Sequence, residues 1–127
     1  MVTVHKFKGD DKGLDWDGVP VRAYKDGEIE GVVGATRRIL IGTDENSKNF
    51  HLRYFEVEPG GNTALDNHAH EHGVVIIRGK ARVELGDDDP IEVEYGDVLF
   101  IPGHQIHQFF CLGDEPMGFL CVVPAER

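Results

Sequence analysis

Glycine and proline interrupt this chain so often that few intervals could hold a helix of three turns: sixteen glycines and six prolines occur in 127 residues. Glycine weakens a helix interior through backbone entropy, and proline through its missing N–H. The intervals read instead as short strands. Ile91, Val93 and Tyr95 alternate with Glu92 and Glu94, and Ala81, Val83 and Leu85 alternate with Arg82 and Glu84, the period of two that a strand with one buried face shows. Between them, Gly86-Asp87-Asp88-Asp89-Pro90 reads as a hairpin connection. Apolar runs at 74–77, 98–101 and 119–123 are bounded by Gly, Pro or charge and fit strands buried on both faces. Residues 107–112 form another strand candidate, and 20–25 and 28–33 flank Asp26-Gly27, a short hairpin signal. A turn roughly every ten residues points to an all-β sandwich or barrel.

With 40% hydrophobic and 28% charged residues the chain has globular composition and the length of one domain, in which strands and loops of 1–49 pack on a barrel core of 50–127. Residues 9–18, acidic and Gly-rich, read as an irregular outer wrap with Trp16 capping the core or a subunit contact, and 43–49 as a loop. Thirteen Lys and Arg against 23 Asp and Glu leave a formal charge of -10, which repels a phosphate backbone, so nucleic acid is not an expected partner. No apolar run approaches the ~20 residues of a membrane span, and MVTVHKFKGD lacks the apolar core of a secretory signal. A soluble, cytoplasmic protein without a membrane partner is expected. Cys111 and Cys121 are too few for a disulfide scaffold and lack CxxC spacing, so they read as buried small hydrophobes. Nucleotide-binding fingerprints and nucleophile elbows are absent from the sequence.

Seven histidines are present and five fall between 68 and 107. In Asp66-Asn67-His68-Ala69-His70-Glu71-His72 the ligand-type side chains recur every second residue, so an extended backbone would put Asp66, His68, His70 and His72 on one face. His104 and His107 follow Pro102-Gly103. Neutral imidazole offers a directional lone pair, and several converging rings can hold a divalent ion at about 2 Å. Glu71 is a candidate acceptor for a metal-bound imidazole, and His104 is expected at the rim. Phe55, Phe100, Phe109, Phe119 and Tyr54 read as core aromatics sufficient to line a dry pocket.

Residues 57–79, VEPGGNTALDNHAHEHGVVIIRG, resemble the first conserved motif of the cupins, in which a Pro-Gly-Gly turn precedes an HxH pair, an EHE-like segment and an apolar strand. Residues 96–109, GDVLFIPGHQIHQF, resemble the second motif, whose metal-binding histidine falls on His107. The resemblance implies an all-β double-stranded β-helix, or jelly-roll barrel, with metal and ligand inside it. Carried over by position, it implies His68, His72 and His107 as ligands of one divalent transition metal per subunit, Mn, Fe, Ni or Zn. Asp66 stands where the family's first histidine is expected, and Gly73 where its Glu or Gln ligand often stands. Either Asp66 or His70 then completes the set.

Two readings of function follow. One is a metal-dependent enzyme of dioxygenase, isomerase or lyase type acting on a small oxygenated organic molecule. The other is a non-catalytic module that binds metal and a small ligand. Apolar strand edges and the run 119–123 add the expectation of a homodimer.

Overall fold

The structure is a computed structural model described over residues 1–10, 13–24 and 31–127. Nine strands account for most of it: β1 (Arg22–Ala23), β2 (Val33–Ile41), β3 (Phe50–Asn62), β4 (His72–Arg78), β5 (Lys80–Leu85), β6 (Asp88–Glu94), β7 (Val98–Ile101), β8 (Gln108–Leu112) and β9 (Met117–Pro124). All pair antiparallel, in the order β6-β5-β8-β3-β9-β4-β7, with β2 added to β3 and β1 to β2. The sheet curls into the all-β jelly-roll barrel that the motifs imply. Among the described residues no helix is long and apolar enough to cross a membrane.

The curl has a local cause in β3. Its first part lies between β2 and β9, whereas its last residue, Asn62, pairs with Phe110 of β8. The strand therefore changes partner at Pro59-Gly60-Gly61. Gly60 has φ 79, and a Cβ on Gly61 would collide with the Val33 carbonyl, so the corner needs both glycines. The Pro-Gly-Gly turn read from sequence is thus a bend inside a continuous strand.

Inside the barrel, Phe55, Phe119 and Phe109 stack in a row, with centroids 5.2 and 4.5 Å apart and planes inclined by 24° and 21°. Val57, Ile76, Val83 and Met117 fill the space below them without exposure. A second cluster lies on the outer face, where Trp16 packs 5.2 Å from the buried ring of Tyr54 beside Val19 and Leu40. The Tyr54 hydroxyl donates to Glu56 over 2.8 Å, and Glu56 pairs with Arg78 at 3.2 Å. Trp16 caps this outer cluster, as expected of the wrapping segment.

Several strand readings need correction. On β7 the side chains alternate: Leu99 is half-buried and Ile101 buried, while Val98 and Phe100 are 75% and 65% exposed. Val75 of β4 and Val122 of β9 are exposed on the same outer face, so these strands are not buried on both sides. β6 is also an edge strand, and of its expected face only Val93 is buried while Ile91 and Tyr95 are exposed. Its hairpin turn is just Gly86-Asp87, since Leu85 pairs with Asp88, and Pro90 is tolerated because one side of an edge strand has no ladder. The Asp26-Gly27 hairpin lies outside the described residues. Residues 28–30 of the strand expected at 28–33 also lie outside the described residues, and β2, from Val33 to Ile41, begins where that expectation ends. Within 43–49 a single 3₁₀ turn, Thr43–Glu45, is closed by Gly42 N–H donating to Glu45 Oε1 over 2.7 Å.

Candidate metal centre

Two stretches far apart in sequence are joined by main-chain hydrogen bonds at the mouth of the barrel. Asp66 and His107 exchange N–H···O bonds of 2.9 and 3.0 Å, His104 N–H donates to the His68 carbonyl over 2.6 Å, and Phe109 N–H donates to Thr63 Oγ1 over 2.9 Å. His72 opens β4 and His107 immediately precedes β8. The connection from β3 is therefore clamped to the segment that carries the second motif.

One potential ligand nitrogen from each of His68, His70 and His72 lies within 4.8 Å of the others. The ring of His107 is centred 4.9 Å from that of His72 and 6.2 Å from that of His68. Strand alternation is not what gathers them. Residues 69 and 70 form a bend, and the rings of His68 and His70 stack at 4.9 Å, inclined by 11°.

The surroundings set which nitrogens are free. His107 Nδ1 lies 2.8 Å from the Gln105 carbonyl, which can only accept, so Nδ1 carries the proton and the Nε2 lone pair is available. His70 Nδ1 is held likewise by the Glu71 carbonyl at 3.2 Å. His72 is 7% exposed and its Nε2, buried, has no hydrogen-bond partner. Burial, reinforced by the neighbouring His107 and His70, pushes its pKa down to about 3, so at neutral pH it is an uncharged imidazole. Asp66 Oδ1 sits 3.5 Å from His68 Nε2, and its Oδ2 accepts from the Tyr24 hydroxyl over 3.0 Å. Burial pushes the Tyr24 pKa up, which keeps it a donor. A buried polar atom left without a partner is uncommon, and an orphaned nitrogen among further imidazoles fits a divalent cation.

The histidines line a cavity of about 220 Å³ over the stacked phenylalanines. Cys121 also lines it, with Sγ 3.4 Å from both His72 Nδ1 and Arg53 Nη2. Burial raises the thiol's pKa, so the sulfur is held as S–H. Both cysteines are buried in the core, as the sequence implies. Cys111 Sγ lies 3.2 Å from the Glu115 carbonyl, while Cys121 in addition lines the site. Arg37, Arg53 and Arg127 line the cavity too and were missed. Strand parity was the available signal for two of them, since Arg53 pairs with Cys121 and Arg37 with Phe55 on the inward face.

Other candidates sit elsewhere. Glu71 is exposed, and among the described residues its carboxylate orients no imidazole; only its carbonyl does. His104, at φ 66, is exposed at the rim. Gln108 turns away and donates to the Thr63 carbonyl over 3.0 Å. Of the aromatics, Phe55, Phe109 and Phe119 line the cavity, whereas Phe100 is exposed and Tyr54 packs on the outer face. On Gly73 a Cβ would crowd Val122, and the position supplies no ligand.

A β-barrel with clustered imidazoles in its mouth is the arrangement of the cupins, and the chain belongs to that family: the Cupin domain model matches residues 53–123. Among curated proteins it is similar to the 1-methylthio-D-xylulose 5-phosphate methylsulfurylase of Rhodospirillum rubrum, 41% identical over 112 residues that cover 88% of this chain and 70% of the relative. Among solved structures, a cupin 2 conserved barrel domain protein from Rhodopseudomonas palustris superimposes with TM-score 0.81 at 38% identity, covering 96% of this chain and 81% of that one. The polyketide cyclase RemF from Streptomyces resistomycificus gives 0.78 at 32% identity, covering 87% and 76%.

Proposed function

We propose that this cupin is a metal-dependent enzyme of the lyase or isomerase kind, acting on a small carbonyl-bearing molecule held in the cavity. His68, His70 and His72, with His107 beside His72, would hold a single Mn, Fe, Ni or Zn ion. The observation that carries this reading is the buried, unpartnered Nε2 of His72 at the centre of the cluster. When bound, such an ion supplies a Lewis acid for a carbonyl oxygen. The chain's own residues do the rest. The Gln105 carbonyl fixes the His107 tautomer. Asp66, accepting from Tyr24, holds His68 and gives the mouth a carboxylate able to take a proton. The row of phenylalanines keeps water from the floor.

The names of the relatives, a methylsulfurylase and a cyclase, support the non-oxidative branch over the dioxygenase one. The first relative's named substrate is a ketose derivative, which carries the required carbonyl. The non-catalytic reading keeps one supporting observation: Asp66 and Gly73 stand where the family's motif has ligand residues. Elemental analysis of the purified protein, paired with a turnover assay on 1-methylthio-D-xylulose 5-phosphate and on simpler ketoses, separates the two. Turnover that disappears in His72→Gln together with the metal supports the enzyme. Bound metal and a raised melting temperature without turnover support the module. A homodimer would cover Val75, Val98, Phe100 and Val122, and sedimentation velocity tests it directly.

A further inference from the structure

We propose that Arg37, Arg53 and Arg127 form a docking site for a phosphomonoester group of the ligand, on the cavity wall built by β2, β3 and the segment after β9. The inference rests on the cavity being a ligand site, but not on which metal the histidines hold.

Pairing sets these three arginines apart from three others. Arg38, Arg78 and Arg82 each lie within 3.2 Å of a carboxylate, on Asp15, Glu56 and Glu84. Arg37, Arg53 and Arg127 have no carboxylate within 4.0 Å among the described residues, in a chain with ten more acidic than basic side chains. The Nε atoms of Arg37 and Arg53 are buried, and neither has a hydrogen-bond partner. Burying such donors is costly unless something supplies an acceptor.

Two of the three guanidiniums are also held in fixed orientations. Arg53 lies over the Phe55 ring, 4.9 Å from its centroid, with Nη2 3.4 Å from Cys121 Sγ. Arg127 Nη1 donates to the Pro124 carbonyl over 2.8 Å and lies 3.1 Å from His51 Nδ1, which leaves Nε and Nη2 for another acceptor. Planar guanidiniums held in this way match oxyanion geometry, and their mutual repulsion is relieved by an anion between them.

Charge points the same way. Three guanidiniums face one lining carboxylate side chain, Asp66, among the described residues, and a metal ion held by the histidines would add to that positive excess. A phosphomonoester dianion offsets more of it than a singly charged carboxylate does. Because Cys121 Sγ touches both Arg53 and His72, a ligand anchored by its phosphate would extend past the thiol toward the imidazoles.

The test is calorimetric titration of the protein as purified with D-ribose 5-phosphate, D-ribose and D-ribonate, with metal content measured in every sample. Ribose 5-phosphate is expected to bind saturably, and more weakly as salt rises; ribose should show no binding and ribonate at least tenfold weaker binding. Arg37→Met and Arg53→Met should each weaken ribose 5-phosphate tenfold or more with metal content unchanged, and the solvent-exposed Arg127→Ala, which leaves the barrel intact, by several fold. Arg82→Ala should change nothing. His72→Gln should lose metal yet keep phosphate binding, so a failure of the metal reading is visible separately. Absence of saturable ribose 5-phosphate binding, ribonate binding as tight, or unchanged affinity in Arg127→Ala and Arg37→Met would overturn the proposal.

Discussion

The two polar walls of the cavity are built in opposite ways. The histidine wall is almost entirely local: three of its four rings come from a five-residue stretch and are gathered by one bend, and the fourth is clamped on through backbone hydrogen bonds. On the arginine wall every residue comes from a different part of the chain and is positively charged, Arg37 and Arg53 being positioned by strand register and Arg127 by its hydrogen bond to the Pro124 carbonyl. Cys121 touches both, 3.4 Å from His72 and 3.4 Å from Arg53. Burial keeps His72 an uncharged imidazole among its neighbours, whereas guanidiniums cannot shed their charge and tolerate proximity only with an anion at hand. The contrast teaches that one cavity can separate a soft donor set from an electrostatic anchor without a second domain.

The most severe way to break this arrangement is to remove the floor both walls share. Phe109→Ala deletes a ring stacked 4.5 Å from Phe119, and it should cost about 3–5 kcal/mol of stability in urea unfolding. Next, His72→Gln strikes the histidine wall alone. Metal affinity should fall by roughly a hundredfold or more, about 3 kcal/mol, in competition with a chromogenic chelator, with the fold retained. Acid provides a third, graded probe. The folded His72 pKa of about 3 lies below the unfolded value of 6.5, so the unfolded chain takes up a proton that the folded one refuses. Stability of the chelator-treated protein is therefore full above pH 6.5 and falls by up to about 1.4 kcal/mol per pH unit below it, until pH approaches 3. A urea midpoint that does not drop between pH 6.5 and 4.5, or that drops equally in His72→Gln, would contradict this. The mildest change sharpens the comparison at Asp66: Tyr24→Phe removes one donor to Oδ2, and metal affinity should fall roughly tenfold while stability changes by about 1 kcal/mol.

How much of this was legible depends on how local each cause is. Alternation in β5 gave its inward residues correctly, Ala81 and Val83 being fully buried. Alternation failed on β6, and the apolar run of β7 failed as a sign of burial on both faces, because a local pattern says which residues could share a face but not whether anything covers that face; at these sheet edges nothing among the described residues does. His68, His70 and His72 could be singled out because they adjoin one another, and His107 through the second motif. Cys121 is the core residue that its apolar neighbours in the run 119–123 suggest, and only the pairing of β9 with β3 and β4 also sets its sulfur between Arg53 and His72. Arg37 and Arg53 fall in stretches with no strand reading of their own, so nothing in the sequence singled them out from the other basic residues.

By itself, the order of residues determined an all-β barrel and the histidine cluster, because strand period, turn chemistry and adjacent ligand groups are encoded over a few positions. Which cations enter the cavity, which cysteine faces it and where β3 exchanges one partner for another were decided by tertiary structure. Those outcomes depend on register between strands dozens of residues apart, and on whether burial removes water from a given side chain, neither of which a local pattern contains.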